Sequence, residues 1–192
     1  AVGSFQLAAD VNSTGIELIV DIATAGTALP AWWTTACRTG FVTANPTISP
    51  AAVNCFDWAS GAAAGGLASY NQGNLYGPSS ARVLMGFAVP APGQLVPGGA
   101  EMFAFNLVVS NAKTTGTGSC AGCSTPACIA FNNLKMASGI VTGAVLNTPT
   151  VPGSNYITWQ GGAGVSSTLG NSCPTATPTM NKTWTGVKSL YR

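Results

Sequence analysis

The chain has 192 residues, of which 46% are hydrophobic and only 6% are charged. Seven basic and five acidic residues give a net charge of +2 and form no basic stripe, which argues against nucleic acid as a partner. The sequence contains no histidine, so the commonest general base and metal ligand is missing. This length and apolar content predict a single globular domain over residues 1–192.

Alternation of apolar and polar residues predicts half-buried strands along most of the chain. The first strand covers residues 3–11, with Phe5 and Leu7 on its apolar face, and the second covers residues 16–22. The turn-forming segment 12–15 between them predicts a hairpin. Further strands are predicted at residues 83–89, 103–109, 128–136, 140–146 and 156–160.

Two local features complete this prediction of the fold. The apolar residues of segment 128–136 change face, which a bulge near Asn132 and Asn133 would reconcile. The alanine-rich segment 56–70 predicts one or two helical turns, with Asp57 as their N-cap. The sum of these elements indicates an all-β protein, a single disulfide-stapled β-sandwich with one short helical segment.

The long stretch from residue 136 to residue 181 contains no charged residue. A helical membrane span needs about 20 consecutive apolar residues. Prolines, glycines, asparagines and a glutamine interrupt this stretch repeatedly. We therefore expect strands and turns here, and no membrane span.

Six cysteines in a chain that begins with Ala1 suggest a secreted protein whose signal peptide has been removed. An exported protein normally oxidises its cysteines, so we expect three disulfides and no free thiol. Cys37 and Cys55 are neighbours in sequence and flank a loop. The expected pairs are Cys37–Cys55, Cys120–Cys128 and Cys123–Cys173.

The spacing of Cys120 and Cys123 leaves two alternatives open. With Cys128 and Cys173 these residues could form a four-thiolate zinc site, which the C-x2-C spacing fits. The same pair could be a redox motif, if its surroundings lower a thiol pKa. Export favours disulfides over zinc, and the neighbouring glycines predict a loop. We expect no metal ion and no cofactor.

Catalytic groups lack partners in this sequence. Of the five carboxylates, Asp10, Glu17 and Asp21 fall on the polar side of predicted strands, where a solvent-facing charge is the ordinary expectation. The segment 110–113 matches the Ser-x-x-Lys pattern of serine acyl enzymes, but their further motifs are missing. We therefore expect no enzymatic activity.

Trp32 and Trp33 follow Pro30 in one predicted loop. If exposed, their rings could stack on sugars; the alternative is that they pack in the core, where aromatic side chains bury large areas. This pair is the best glycan-binding candidate in the chain. It supports an alternative prediction, a secreted carbohydrate-binding or adhesive module with an extracellular glycan as partner.

The leading prediction is a non-enzymatic extracellular structural protein at the cell surface that assembles with itself into a filament or surface layer. Few charges reduce both the desolvation cost and the repulsion when subunits pack together. In composition the chain is similar to secreted prokaryotic filament subunits, which are also low in charge and rich in Ala, Gly, Ser and Thr. Apolar segments at 1–11 and 174–192 could be docking regions; the alternative is that they pack on their own domain. The assembly candidates in them are Phe5, Leu7, Trp184, Leu190 and Tyr191.

Overall fold

A computed structural model describes residues 1–48, 55–73, 77–138, 142–146 and 154–162. Almost all of its regular structure is β, which confirms the all-β prediction. No helix among these residues is long and apolar enough to cross a bilayer. The strands are β1 (Val2–Gln6), β2 (Val11–Ser13), β3 (Gly15–Thr24), β4 (Val42–Asn45), β5 (Phe56–Asp57), β6 (Ala64–Gln72), β7 (Ser80–Ala88), β8 (Gln94–Val96), β9 (Glu101–Val109), β10 (Ala127–Ala137), β11 (Thr142–Leu146) and β12 (Tyr156–Trp159).

The strands form two main sheets and one small ribbon. In the larger sheet the order is β11-β10-β3-β7-β6, and β12 also pairs with β10, all antiparallel. The smaller sheet has the order β1-β9-β4, with β5 pairing parallel to β9. The ribbon joins β2 to β8. This arrangement agrees with a β-sandwich.

The core lies between the apolar faces of the two sheets. The central strand β3 contributes the fully buried Leu18 and Ile22, and β9 contributes Leu107. Phe105 of the smaller sheet meets Phe131 of the larger sheet edge to face, with ring centroids 5.0 Å apart. Each large apolar side chain removed from water stabilises the fold by about 1.5–3 kcal/mol. Sheet-to-sheet packing is therefore the main source of stability.

The predicted hairpin between residues 3–11 and 16–22 is wrong, because β1 and β3 lie in different sheets. β1 pairs with β9, and the segment before β3 forms the separate strand β2, which pairs with β8. Alternation identified the buried residues Phe5 and Leu7 and the buried face of residues 16–22, but it could not tell which sheet each segment belongs to. The bulge predicted in β10 is confirmed by a register shift between Phe131 and Asn133.

The helix predicted over residues 56–70 is also wrong, since this segment contains β5 and β6. The Asp57 carboxylate does accept hydrogen bonds from the backbone N–H groups of Ala59 and Gly61, but it caps a turn rather than a helix. Gly65 has φ +138° and lies so close to Gly86 of β7 that a Cβ atom would overlap its carbonyl oxygen. Gly65 would weaken a helix, but in the sheet it allows β6 and β7 to approach each other closely. The short helical segment is instead a 3₁₀ turn at Ala31–Trp33.

Asp21 was expected to face solvent, yet its side chain is fully buried. Its two carboxylate oxygens accept from Nε and Nη2 of Arg82 at 2.7 and 2.8 Å, and Oδ2 also accepts from Asn132 Nδ2 at 2.6 Å. These residues belong to β3, β7 and β10. The buried carboxylate therefore connects three adjacent strands of the larger sheet.

The substitution Arg82→Met tests this connection. It leaves the Asp21 carboxylate buried without its cation, so we expect the free energy of unfolding to fall by about 3–5 kcal/mol in chemical denaturation. Lys135→Met on the same sheet is the matched control, since it removes an exposed ion pair with Glu17 at 3.7 Å. The control should change stability by about 1 kcal/mol or less. Equal effects of the two substitutions would contradict the role given to Asp21.

Candidate functional site

Both tryptophans of the predicted glycan loop lie in the core. The 3₁₀ turn directs Trp32 and Trp33 inward, and their exposed fractions are 1% and 0%. Trp32 stacks on Trp159 of β12 with ring centroids 5.2 Å apart, and its Nε1 donates to the Thr114 hydroxyl at 3.0 Å. A sugar cannot reach either ring face in this arrangement. Of the two alternatives given for this pair, the structure therefore shows core packing and not an exposed glycan-binding surface.

A buried cation lies against these rings. The guanidinium of Arg38 is centred 3.7 Å from the Trp32 ring and 4.5 Å from the Phe41 ring. It donates hydrogen bonds to the backbone carbonyls of Trp32 and Ser110. Burial lowers the pKa of Arg38, while its interaction with the Cys123 thiol opposes that shift. No carboxylate among the described residues pairs with Arg38. The aromatic ring faces and the backbone carbonyl dipoles stabilise its positive charge instead.

A disulfide connects the segment after the 3₁₀ turn to the loop before β10. Cys37 bonds to Cys120, with Cα atoms 6.1 Å apart and a sequence separation of 83. Lys113 Nζ donates to the Cys37 carbonyl at 2.8 Å, and the Cys120 N–H donates to the Lys113 carbonyl. A second disulfide involves Cys128. Oxidised cysteines agree with the predicted disulfide-stapled fold.

The pairs predicted from the sequence are nevertheless wrong. Cys55 and Cys123 are free thiols, which excludes Cys37–Cys55 and Cys123–Cys173, and the Cys37–Cys120 bond excludes Cys120–Cys128. Cys173 lies outside the described residues. Nearness in sequence was a poor guide, because the fold brings Cys37 to a loop 83 residues away and leaves Cys55 beside β1 and β9. The zinc alternative fails too, since Cys120 and Cys128 are oxidised.

The free thiol of Cys55 lies in a setting that keeps it protonated. Burial raises its pKa, the nearby Glu101 carboxylate raises it further, and a hydrogen bond with Ser4 lowers it. The Ser4 hydroxyl also donates to Glu101 at 2.6 Å. The thiol is therefore a poor nucleophile near neutral pH.

The catalytic motifs considered in the sequence do not assemble into a reactive group. The Ser110 hydroxyl accepts a hydrogen bond from the Ala112 N–H, while the Lys113 ammonium donates to the Cys37 carbonyl. Asp21 is held by Arg82 in the larger sheet. Across the described ranges, no group of three or more His, Cys, Asp or Glu side chains could hold a metal ion.

A groove of about 520 Å³ lies between β1 and the strands β10 and β12. Its apolar lining includes Phe105 and Phe131, and Asn132 and Asn155 are among its polar lining residues. Val2 of β1 and Ile157 of β12 also line it, with exposed fractions of 46% and 47%. Sequence analysis missed this groove, because alternation along one strand does not show which strands of the two sheets lie beside each other.

Two strand edges border the groove. Within the described part of the chain, β1 pairs with β9 alone and β12 pairs with β10 alone. An edge strand presents backbone N–H and C=O groups to whatever lies beside it. The groove therefore combines an apolar floor with backbone hydrogen-bonding groups, which suits an extended peptide better than a small rigid ligand.

The residues predicted to mediate assembly occupy different places. Phe5 and Leu7 are 7% and 2% exposed and pack in the core of their own domain. They could contact a neighbour only by leaving that core, so they are corrected from docking residues to core residues. The other three candidates, Trp184, Leu190 and Tyr191, lie outside the described residues.

Trp32→Ala tests whether the tryptophan pair belongs to the core. The substitution removes a fully packed ring and should lower the free energy of unfolding by about 3–5 kcal/mol in chemical denaturation. Phe56→Ala is the control, since Phe56 is 69% exposed and its removal should change stability by about 0.5 kcal/mol or less. A Trp32→Ala variant with wild-type stability would show that the ring lies at the surface.

Cys120→Ser tests the long disulfide. Loss of this cross-link should reduce the free energy of unfolding by about 2–5 kcal/mol, measured at acidic pH where thiol exchange is slow. Cys55→Ser removes a free thiol and no cross-link, so it should cost about 1 kcal/mol or less. If both substitutions had the same small effect, the Cys37–Cys120 bond would not be a stabilising element.

Comparison with other proteins adds no further constraint on function. No protein-family model, curated protein or solved structure matches the chain. Composition, the disulfides and the groove are therefore the features of this protein that bear on its function.

Proposed function

We propose that the chain is a non-enzymatic extracellular structural protein, a self-assembling subunit of a filament or surface layer. The observation that carries this proposal is the groove between β1 and β12, where exposed apolar side chains stand beside two strand edges. Val2 and Ile157 both line the groove and are about half exposed, and clustered exposed apolar residues are characteristic of protein contact surfaces. The Cys37–Cys120 disulfide supports an oxidising location, such as the exterior of the cell.

The scarcity of charge supports self-association in particular. With 6% charged residues and a net charge of +2, identical copies repel one another weakly. A contact between two such surfaces buries few ionised groups, so little desolvation free energy is lost. Serine, threonine and asparagine keep the surface polar without opposing contact between subunits.

The proposed occupant of the groove is the segment 182–192 of a second copy, added as an extended strand. This segment carries Trp184, Leu190 and Tyr191, which would find apolar contacts on the floor of the groove. It also contains two lysines and an arginine, and Glu101 is the carboxylate among the lining residues. Strand addition supplies affinity through backbone hydrogen bonds and specificity through alternate side chains.

A pair of charge substitutions in the groove tests the proposal. In Val2→Lys/Ile157→Lys, two ammonium groups replace exposed apolar side chains on opposite walls, and we expect assembly to fall at least tenfold by light scattering and electron microscopy. Leu95→Lys is the matched control, since Leu95 is 60% exposed on β8 and does not line the groove. This control should assemble like the wild type, because a lysine there leaves the groove unchanged.

Deletion of residues 182–192 removes the proposed donor strand and leaves the acceptor groove in place. The truncated chain should remain folded and monomeric, and mixing it with full-length protein should limit the size of assemblies, since it accepts a strand but donates none. A full-length protein that stays monomeric at high concentration, without fibres or sheets, would contradict the proposal. Loss of assembly in Leu95→Lys as well would show that the groove has no special role.

A further inference from the structure

The outer face of the larger sheet, which is turned away from the main core, is closed at one end. Cys128 of β10 lies opposite Ala23 of β3, and with Ala130 they form a small cluster, each residue at most 3% exposed. The alternate residue Ile129 belongs to the main core, which places this outer cluster on the opposite face. Further along β3 the same face exposes Glu17 to solvent, as is usual for an antiparallel sheet. The outer cluster is therefore a covered patch on a face that is elsewhere open.

The disulfide partner of Cys128 follows by elimination. Cys128 is oxidised, so its partner is another of the six cysteines of the chain. Four of the others are accounted for, as one bonded pair and two free thiols: Cys37 with Cys120, and Cys55 and Cys123. The cysteine that remains is Cys173. The state of every other cysteine, rather than nearness in sequence, therefore assigns Cys173 to Cys128.

The chain that leads to Cys173 starts beside Cys128. The Gly162 N–H donates to the Trp159 carbonyl at 3.1 Å at the end of β12. Gly162 lies so close to Ala127, the residue before Cys128, that a Cβ atom built on it would overlap the Ala127 carbonyl oxygen. Cys173 follows Gly162 by eleven residues. An extended connection of this length spans up to about 36 Å, far more than the short return to Cys128 requires.

The composition of segment 163–172 suits a position over the outer cluster. The segment contains no charged residue, and Val165 and Leu169 are its large apolar side chains. The Asp21 carboxylate on this face is already paired with a cation. An uncharged cover therefore buries no unpaired ionised group, which would be costly. Apolar side chains of the segment would find apolar contacts on the cluster and on Tyr156, which packs against it.

We propose that Cys128 forms a disulfide with Cys173 and that segment 163–173 of the same chain docks on the outer face of the larger sheet. The docking site is the outer cluster, where the C-terminal end of β3 meets the N-terminal end of β10. The bond holds the segment in place, and the segment keeps solvent away from the cluster. A surface that would otherwise be open to a partner is thereby occupied by the chain itself. This inference is independent of the proposed assembly and would hold for a monomer.

Peptide mapping without reduction tests the bond. The full-length protein is denatured at mildly acidic pH, alkylated with N-ethylmaleimide and digested with trypsin. We expect label on Cys55 and Cys123, and a covalent link between the tryptic peptides 114–135 and 136–182. Fragment ions from backbone cleavage between Cys123 and Cys128 should place this link at Cys128. The proposal is overturned by label on Cys173, or by a bond from Cys173 to any other cysteine of the same or a second copy.

Hydroxyl-radical footprinting tests the docking. Tyr156 is partly buried and packs against the outer cluster, so its oxidation reports whether the cover is in place. Cys128→Ala/Cys173→Ala removes the bond and leaves no unpaired thiol behind. In this variant the oxidation of Tyr156 should rise about twofold or more, because the segment is no longer held over the cluster. Wild-type protection of Tyr156 in the folded variant would overturn the docking.

Two controls make this reading specific. Cys55→Ala/Cys123→Ala removes two free thiols and no bond, so its Tyr156 should be oxidised like that of the wild type. Phe56 is 69% exposed and distant in sequence from the outer cluster, and its oxidation should be the same in all three proteins. A cooperative thermal transition is the check on folding. An equal rise at Tyr156 in both double variants would also overturn the proposal.

Discussion

The contact on which the rest of the described structure depends is the packing of two antiparallel sheets through their apolar faces. Phe105 of the smaller sheet and Phe131 of the larger sheet meet in this layer, and the central strand β3 is buried along most of its length. A chain with 6% charged residues has few ion pairs with which to reinforce such a layer. Contacts other than ion pairs therefore stabilise the edges of this layer. Two of these edges differ in how they are closed. Near Trp32 the core is closed by stacked rings and a disulfide, whereas between β1 and β12 a groove remains.

The closed border shows how this chain accommodates a buried cation without a carboxylate. Arg38 lies 3.7 Å from the Trp32 ring centroid, and its N–H groups donate to two backbone carbonyls. Ring quadrupoles and carbonyl dipoles offset the loss of hydration, although burial still lowers the pKa of the guanidinium. Ring faces and carbonyl dipoles thus hold a cation at this border of the core.

The sequence predicts the β-rich class and most long strands, because period-two alternation reports burial directly. The sequence does not predict which strand or sheet each buried face packs against. Alternation places Phe5 and Leu7 on a buried face, but it cannot show that β1 ends at Gln6 or that it joins β9 rather than β3. Segment 56–70 suggests a helix because alanine favours one, while Gly65 is needed for the close approach of β6 to β7. Disulfide pairing and the burial of Trp32 are long-range outcomes of the fold, which no local pattern of residues encodes. The groove is likewise a property of two strand edges brought together.

The groove, finally, gives a structural reason for self-association that composition alone does not. Val2 and Ile157 line the groove with exposed apolar surface, beside backbone edges that can pair with an added strand. The most direct measurement is electron cryomicroscopy of the assembled protein at a resolution that traces side chains. The account predicts that residues 182–192 of one copy lie as an extended strand in the groove of the next. Assemblies whose groove is empty, or is filled by the same copy's own segment 182–192, would contradict it.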